Sequence, residues 1–178
     1  MKKKSVIELH RIDVEEFKQV PKIPLTIVLD DIRSLNNIGS VFRTADAFVI
    51  DKIYLCGITA TPPHPDIHKT ALGAEDSVEW EYVQDVNELV ANLKADGVKV
   101  CAIEQVHHSI SLEDFKTVEG ERYALVLGNE VKGVAQSVVD AADYCIEIPQ
   151  CGTKHSLNIS ITAGIVMWDF SKQMKLGK

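Results

Sequence analysis

Short apolar runs that alternate with stretches of helical period limit this chain to one fold class. Leu25-Thr-Ile-Val-Leu-Asp30 follows Pro24 and is too short for a core helix, so it reads as a buried strand. From Asn37 the period changes: Ile38, Val41, Phe42, Ala45, Phe48 and Val49 recur at helical spacing, with Asn36 or Asn37 as the expected N-cap. Lys52–Gly57 is a second strand, Ile67–Leu72 a short helix, and Val78–Tyr82 alternates like a half-exposed strand. Asp85–Ala95 is helical, and Gly97 suits its C-terminal cap. Val98–Ile103 and Tyr123–Leu127 are further buried strands, Val134–Ala142 is a helix, Tyr144–Ile148 a strand, and Ser156–Met174 the longest helix. About six strands alternating with about five helices predict an α/β domain. Its sheet is mostly parallel and six-stranded, with helices on both faces.

The length of 178 residues suits one such domain, here residues 24–171, between a basic N-terminal segment (1–23) and a basic C-terminal tail (172–178). No stretch approaches ~18 consecutive apolar residues, and no apolar run near Met1 resembles a signal peptide, so a cytoplasmic protein is expected. Cys56, Cys101, Cys145 and Cys151 never form Cys-x-x-Cys, which argues against zinc or a disulfide framework. His64 and His68 have H-x3-H spacing, but Pro63 and Pro65 flank the first; a loop with two unpaired histidines is the simpler reading, and no metal is expected. Net charge is −7, which by itself disfavours a nucleic-acid partner. Residues 75–121 hold twelve acids against three lysines and account for −9, so the remainder is +2.

Ligands of open α/β sheets gather outside the carboxyl ends of the strands, and three such ends are unusual here. Asp30 to Arg43 is a polar turn running into a helix that carries an arginine. Leu127-Gly-Asn-Glu-Val-Lys-Gly133 brackets Asn129 and Glu130 with glycines. Ile148 to Ser160 is a polar loop entering an apolar helix. Any one could be an ordinary turn or cap; three in one small domain point to a shared pocket. Walker-type, Rossmann-type and G-x-S-x-G signatures are missing, which disfavours dinucleotide binding and serine hydrolysis.

At these segments the chain resembles the SpoU/TrmH branch of the SPOUT superfamily, the knotted RNA ribose 2′-O-methyltransferases. The first family motif resembles Asn37-Ile-Gly-Ser-Val-Phe-Arg-Thr-Ala-Asp-Ala47, the second Leu127-Gly-Asn-Glu-Val-Lys-Gly-Val134, and the third Ile148-Pro followed by Ser156-Leu-Asn-Ile-Ser160. The resemblance implies a deep C-terminal trefoil knot, S-adenosylmethionine held in the knot loops, a homodimer and an RNA substrate, tRNA or rRNA with tRNA slightly favoured. By similarity Leu127, Gly128, Ile148 and Leu157 hold the cofactor, largely through backbone groups, and Ile103 and Glu104 help enclose it. A glycine at 128 lets the ligand approach closely.

Asn37, Arg43, Glu130, Ser156 and Asn158 match the family's catalytic positions. The family assigns the hydroxyl proton to the arginine matching Arg43. A guanidinium with pKa above ~12 is a poor base, so binding the neighbouring phosphate and stabilising the developing alkoxide is the easier role. Glu130 is expected to orient Arg43 or the ribose, Asn158 to hold the hydroxyl, and Ser156 to organise the loop. Two departures stand out: the added N-terminal domain or helical extensions of some relatives are not seen, and Val49 stands where relatives commonly have glycine. Two alternatives belong to other classes. A catalytically silent RNA-binding homologue would keep the fold, and a phospho-acceptor receiver would use the acidic pair Asp30-Asp31.

Overall fold

The strand Ile23–Asp30 (β1) is buried along nearly its whole length because it sits at the centre of the sheet, with a neighbour on each side. The computed structural model describes residues 1–5, 8 and 11–174. After a short helix, Val14–Gln19 (α1), and β1 come Leu35–Ala47 (α2), Ile50–Cys56 (β2), Pro65–Ala71 (α3), Ala74–Ser77 (α4) and Glu79–Val83 (β3). Val86–Ala95 (α5), Val98–Ile103 (β4), Ile110–Ser111 (β5) and Arg122–Leu127 (β6) follow. Gln136–Ala141 (α6), Tyr144–Glu147 (β7) and Ile159–Gln173 (α7) complete the order. All strands join one sheet in the order β3-β2-β1-β6-β4-β7-β5, and every pairing is parallel.

The α/β class is as expected, with seven strands instead of six. The extra strand, β5, is two residues long, too short to leave a periodic signal. Lys175 and Lys178 of the expected basic tail lie outside the described residues. Among the described residues no helix is long and apolar enough to cross a membrane.

Successive β1 residues face opposite ways, and each face has its own core. Ile27 and Leu29 join Leu125 and Leu127 against Phe42 of α2 and Val166 and Phe170 of α7. Val28 joins Ala124, Val126 and Val100 against Leu89 and Leu93 of α5 and Val138 of α6. The chain builds outward from β1 through β2 to β3, then crosses to the other side, so β1 and β6 adjoin at the point where the strand order reverses. In open parallel sheets the carboxyl ends diverge there and leave room for a ligand. From β7, near the far edge, α7 returns to the centre and packs on α2 and β1.

Two helix starts differ from expectation, and both differences matter to the site. The N-cap of α2 is Ser34, whose hydroxyl accepts from the Asn37 N–H at 3.3 Å, so the Asn37 side chain is not consumed as a cap. The N-cap of α7 is Asn158, whose Oδ1 accepts from the Ser160 N–H at 2.8 Å; Ser156 and Leu157 precede the helix in an irregular segment. The expected loop with two unpaired histidines is instead a helix start: His64 caps α3 through Nδ1, and His68, within α3, pairs with Glu75 at 2.6 Å. Of the acids a receiver-like domain would use, Asp31 accepts from the Ile58 N–H and Asp85 caps α5, whereas the buried Asp30 makes no side-chain hydrogen bond among the described residues.

Candidate active site

Four connections leave the carboxyl ends of β1, β4, β6 and β7, and side chains from one grip the backbone of the next. Glu130, from the β6–α6 loop, accepts from the backbone N–H of Arg33 at 3.0 Å and of Ser34 at 3.0 Å, both in the β1–α2 loop. The same carboxylate accepts from Asn37 Nδ2 at 3.2 Å, and Asn37 Oδ1 accepts from Asn158 Nδ2 at 3.2 Å. Residues 130, 37 and 158 therefore form one hydrogen-bonded chain across three loops. Burial pushes the Glu130 carboxyl up, but its amide and Asn37 hydrogen bonds outweigh that, and the group is held below the usual carboxylate range. It is an ionised brace with its acceptor capacity already engaged, which makes it a poor proton acceptor.

Behind this chain lies a cavity of about 670 Å³, a size ordinary for a small-molecule site. Its walls include Ile103, Glu104, Leu127, Gly128, Glu130, Ile148, Ser156, Leu157 and Asn158. All six expected cofactor residues and three of the five expected catalytic ones thus border one space. Asn37 joins through its two hydrogen bonds. Arg43 does not line the cavity; it is exposed on α2, with no ion pair or side-chain hydrogen bond among the described residues. Ser156 is exposed in the loop before α7.

Gly128 shows why the second motif tolerates no side chain at that point. A Cβ there would lie 2.2 Å from the Gly133 carbonyl oxygen and 2.4 Å from the Val134 nitrogen, both backbone atoms that cannot swing aside. Glu104 has a structural task as well: its carboxylate accepts from the N–H groups of Gln105 at 2.8 Å and Val134 at 2.9 Å, which ties the β4 exit to the β6 loop.

Two further residues escape sequence reasoning. Asn129 donates to the Asp31 carbonyl at 2.8 Å and accepts from the N–H groups of Val131 and Lys132, at 2.9 and 3.0 Å. The local half of that pattern, an Asn bonding backbone two residues on, is a legible turn signal. Gln105 donates to the His155 carbonyl at 2.9 Å and so anchors the β7–α7 loop from 50 residues away. Nothing in the sequence announces that pair.

The fold is that of the SpoU/TrmH methyltransferases. The A. aeolicus TrmH/SpoU tRNA modifying enzyme superposes with TM-score 0.79 at 24% identity, covering 90% of this chain and 80% of that one. AviRb from Streptomyces viridochromogenes, solved in complex with the cofactor AdoMet, gives 0.74 at 24% identity over 89% of this chain and 60% of that one. Residues 24–168 match the SpoU rRNA Methylase family, and the chain belongs to that family. Among curated proteins, YacO of Bacillus subtilis, named for the TrmH family of tRNA/rRNA methyltransferases, is 30% identical over 87% of this chain. The chain spans 61% of the length of that relative and 64% of a Borreliella burgdorferi tRNA/rRNA methyltransferase.

Proposed function

We propose that this chain is an S-adenosylmethionine-dependent methyltransferase acting on a ribose 2′-hydroxyl of tRNA or rRNA, with tRNA slightly favoured. The observation that carries the reading is the Glu130–Asn37–Asn158 chain beside a cavity whose β6 loop folds back closely on itself at Gly128. The cavity fits the cofactor: Ile103, Leu127, Ile148 and Leu157 offer apolar surface for a purine. When bound, S-adenosylmethionine supplies an electrophilic methyl on a sulfonium.

The residues of the chain then divide the work. Glu130 and Asn37 hold the β1, β6 and β7 loops in register, and Asn158 presents its amide beside them. Ser156 organises the loop entering α7. Arg43, exposed and unpaired, takes the phosphate next to the reacting ribose and offsets the charge of the hydroxyl as its proton leaves. A homodimer and a deep trefoil knot belong to the same proposal. Ile161, Ile165 and Trp168 form an exposed apolar stripe on α7 that a second copy would cover. The return of α7 to the sheet centre supports the knot.

The test is transfer of label from S-adenosylmethionine to tRNA or rRNA of cells lacking the gene, with the modified nucleoside mapped. A 2′-O-methyl ribose is expected. Cofactor binding without transfer to either RNA would leave a silent RNA-binding homologue.

A further inference from the structure

A chain of net charge −7 must meet a polyanion somewhere, and the surface around the cavity shows where. The β1–α2, β6–α6 and β7–α7 loops each carry one cation: Arg33, Lys132 and Lys154. Among the described residues none of the three side chains makes an ion pair or a hydrogen bond, whereas Lys18, Lys52, Lys94 and Lys172 are paired with carboxylates elsewhere. The loops belong to one rim. Arg33 gives its N–H to Glu130, two residues from Lys132, and Lys154 precedes His155, which lines the cavity with Lys132.

The acids of the same loops are turned toward backbone amides and none of them pairs with these cations. Asp31 accepts from the Ile58 N–H at 3.0 Å, Glu130 from two backbone amides and Asn37, and the β7–α7 loop contains no acid. Glu104 at the cavity wall is likewise engaged with two backbone amides. Glu147 is the one wall carboxylate without a hydrogen bond of its own among the described residues. The three cations thus have no carboxylate partner among the described residues, while the acid-rich segment 75–121 contributes −9.

Resting on the proposed reading of the site, we infer that Arg33, Lys132 and Lys154 form a three-point phosphate track. The track holds the RNA backbone on either side of the reacting nucleotide. Phosphate contacts fix register without reading sequence, and each neutralised phosphate releases counterions and steepens the salt dependence of binding. One cation per loop lets the strand bridge the three loops that the Glu130–Asn37–Asn158 chain already holds together.

The experiment measures binding of a fluorescent unmodified tRNA transcript by anisotropy from 25 to 200 mM salt, for wild type, Arg33→Gln, Lys132→Gln, Lys154→Gln and the triple variant. Lys116→Gln, in the acidic segment, is the control. Each single variant should lower the slope of log affinity against log salt by about 0.7–0.9, the triple by about 2–3, and the control by nothing measurable. Thermal stabilisation by S-adenosylmethionine should stay at the wild-type level in all of them. A triple variant with the wild-type slope overturns the track, as does a wild type with no salt-dependent binding to the transcript. Loss of cofactor stabilisation in Lys132→Gln would remove that lysine from the RNA and assign it to the cofactor. Methyl transfer by the wild type is scored separately, so a failure of the proposed activity cannot be mistaken for a failure of the track.

Discussion

At the carboxyl ends of β2 and β3 the loops close on one another, whereas at those of β4, β6 and β7 they stand apart around a cavity. The closed end ties neighbouring loops directly to one another. Asp31 accepts from the Ile58 N–H, Thr59 donates to the Leu29 carbonyl at 3.0 Å and accepts from the Ile32 N–H at 2.9 Å, and Tyr82 donates to the Gly57 carbonyl at 2.9 Å. The open end satisfies itself at long range, through Glu130, Glu104 and Gln105, whose bonds run along its perimeter and leave the middle clear. The same parallel-sheet geometry therefore yields either a plug or a pocket. What decides is whether the cross-loop bonds close over the strand ends or run around them.

Paired glycine substitutions should break that comparison most sharply. Gly128→Ala drives a Cβ into backbone at 2.2 Å and should abolish stabilisation by S-adenosylmethionine as well as methyl transfer. It should also lower stability by about 1–3 kcal/mol. Gly57→Ala meets the Asp31 carboxylate at 2.0 Å and is strained at φ +61°, so it should destabilise comparably but leave cofactor binding in the folded fraction intact. Calorimetry on both variants decides; equal loss of binding would mean that the two ends are mechanically one.

Arg43→Ala comes next. Its side chain is exposed and unpaired, so stability should change by no more than about 1 kcal/mol. If it serves the open end, turnover with saturating cofactor should fall by about 10²–10³, and Arg43→Lys should rescue poorly because the planar fork is lost. Near-wild-type turnover would exclude Arg43 from the site.

The closed end has a pH signature of its own. Burial, with Asp31 and Asp85 adding repulsion, pushes the Asp30 carboxyl up to about 6. Because the folded value lies above the unfolded one, the folded state holds the proton more tightly. Stability from this group is full below about pH 4 and is lost as pH rises through 6. Asp30→Asn should therefore stabilise the protein by about 1–3 kcal/mol at pH 7–8 and by nothing near pH 4, read by denaturant melts. A stabilisation that persists unchanged at pH 4 would refute the assignment.

The smallest effect concerns Val49, at the turn into β2. It adopts φ +54°, a left-handed conformation that a β-branched residue reaches only under strain and a glycine adopts freely. Val49→Gly releases that strain but gives up half-buried packing against the β1 core. A net gain of at most about 1 kcal/mol is expected, and a larger loss would show that packing dominates.

Much of this was legible before any coordinates. The central strands and the amphipathic helices announce themselves because burial imposes their periods; the second and third motif segments line the cavity, and the first reaches it only through the hydrogen bonds of Asn37. The stretch 104–121 is unreadable for a physical reason. Leu112 and Phe115 are buried there without regular secondary structure, Phe115 stacking on Phe170 at 5.3 Å and meeting Tyr144 edge-on at 5.2 Å. No period accompanies burial of that kind. The helix starts mislead for a different reason: Asn36, Asn37, Ser34, Ser156 and Asn158 are all competent caps, and only tertiary placement selects Ser34 and Asn158.

The bond between Asn158 and Asn37 joins residues 121 positions apart. At a synthesis rate of ~5–20 residues per second, Asn37 leaves the ribosome about 6–24 s before its partner is made. During that interval α2 has no α7 to pack against, and the loops of the site have no brace. A copy truncated before α7 keeps the Asn37–Glu130 link but loses the helix that Asn158 caps, and with it the placement of the third link.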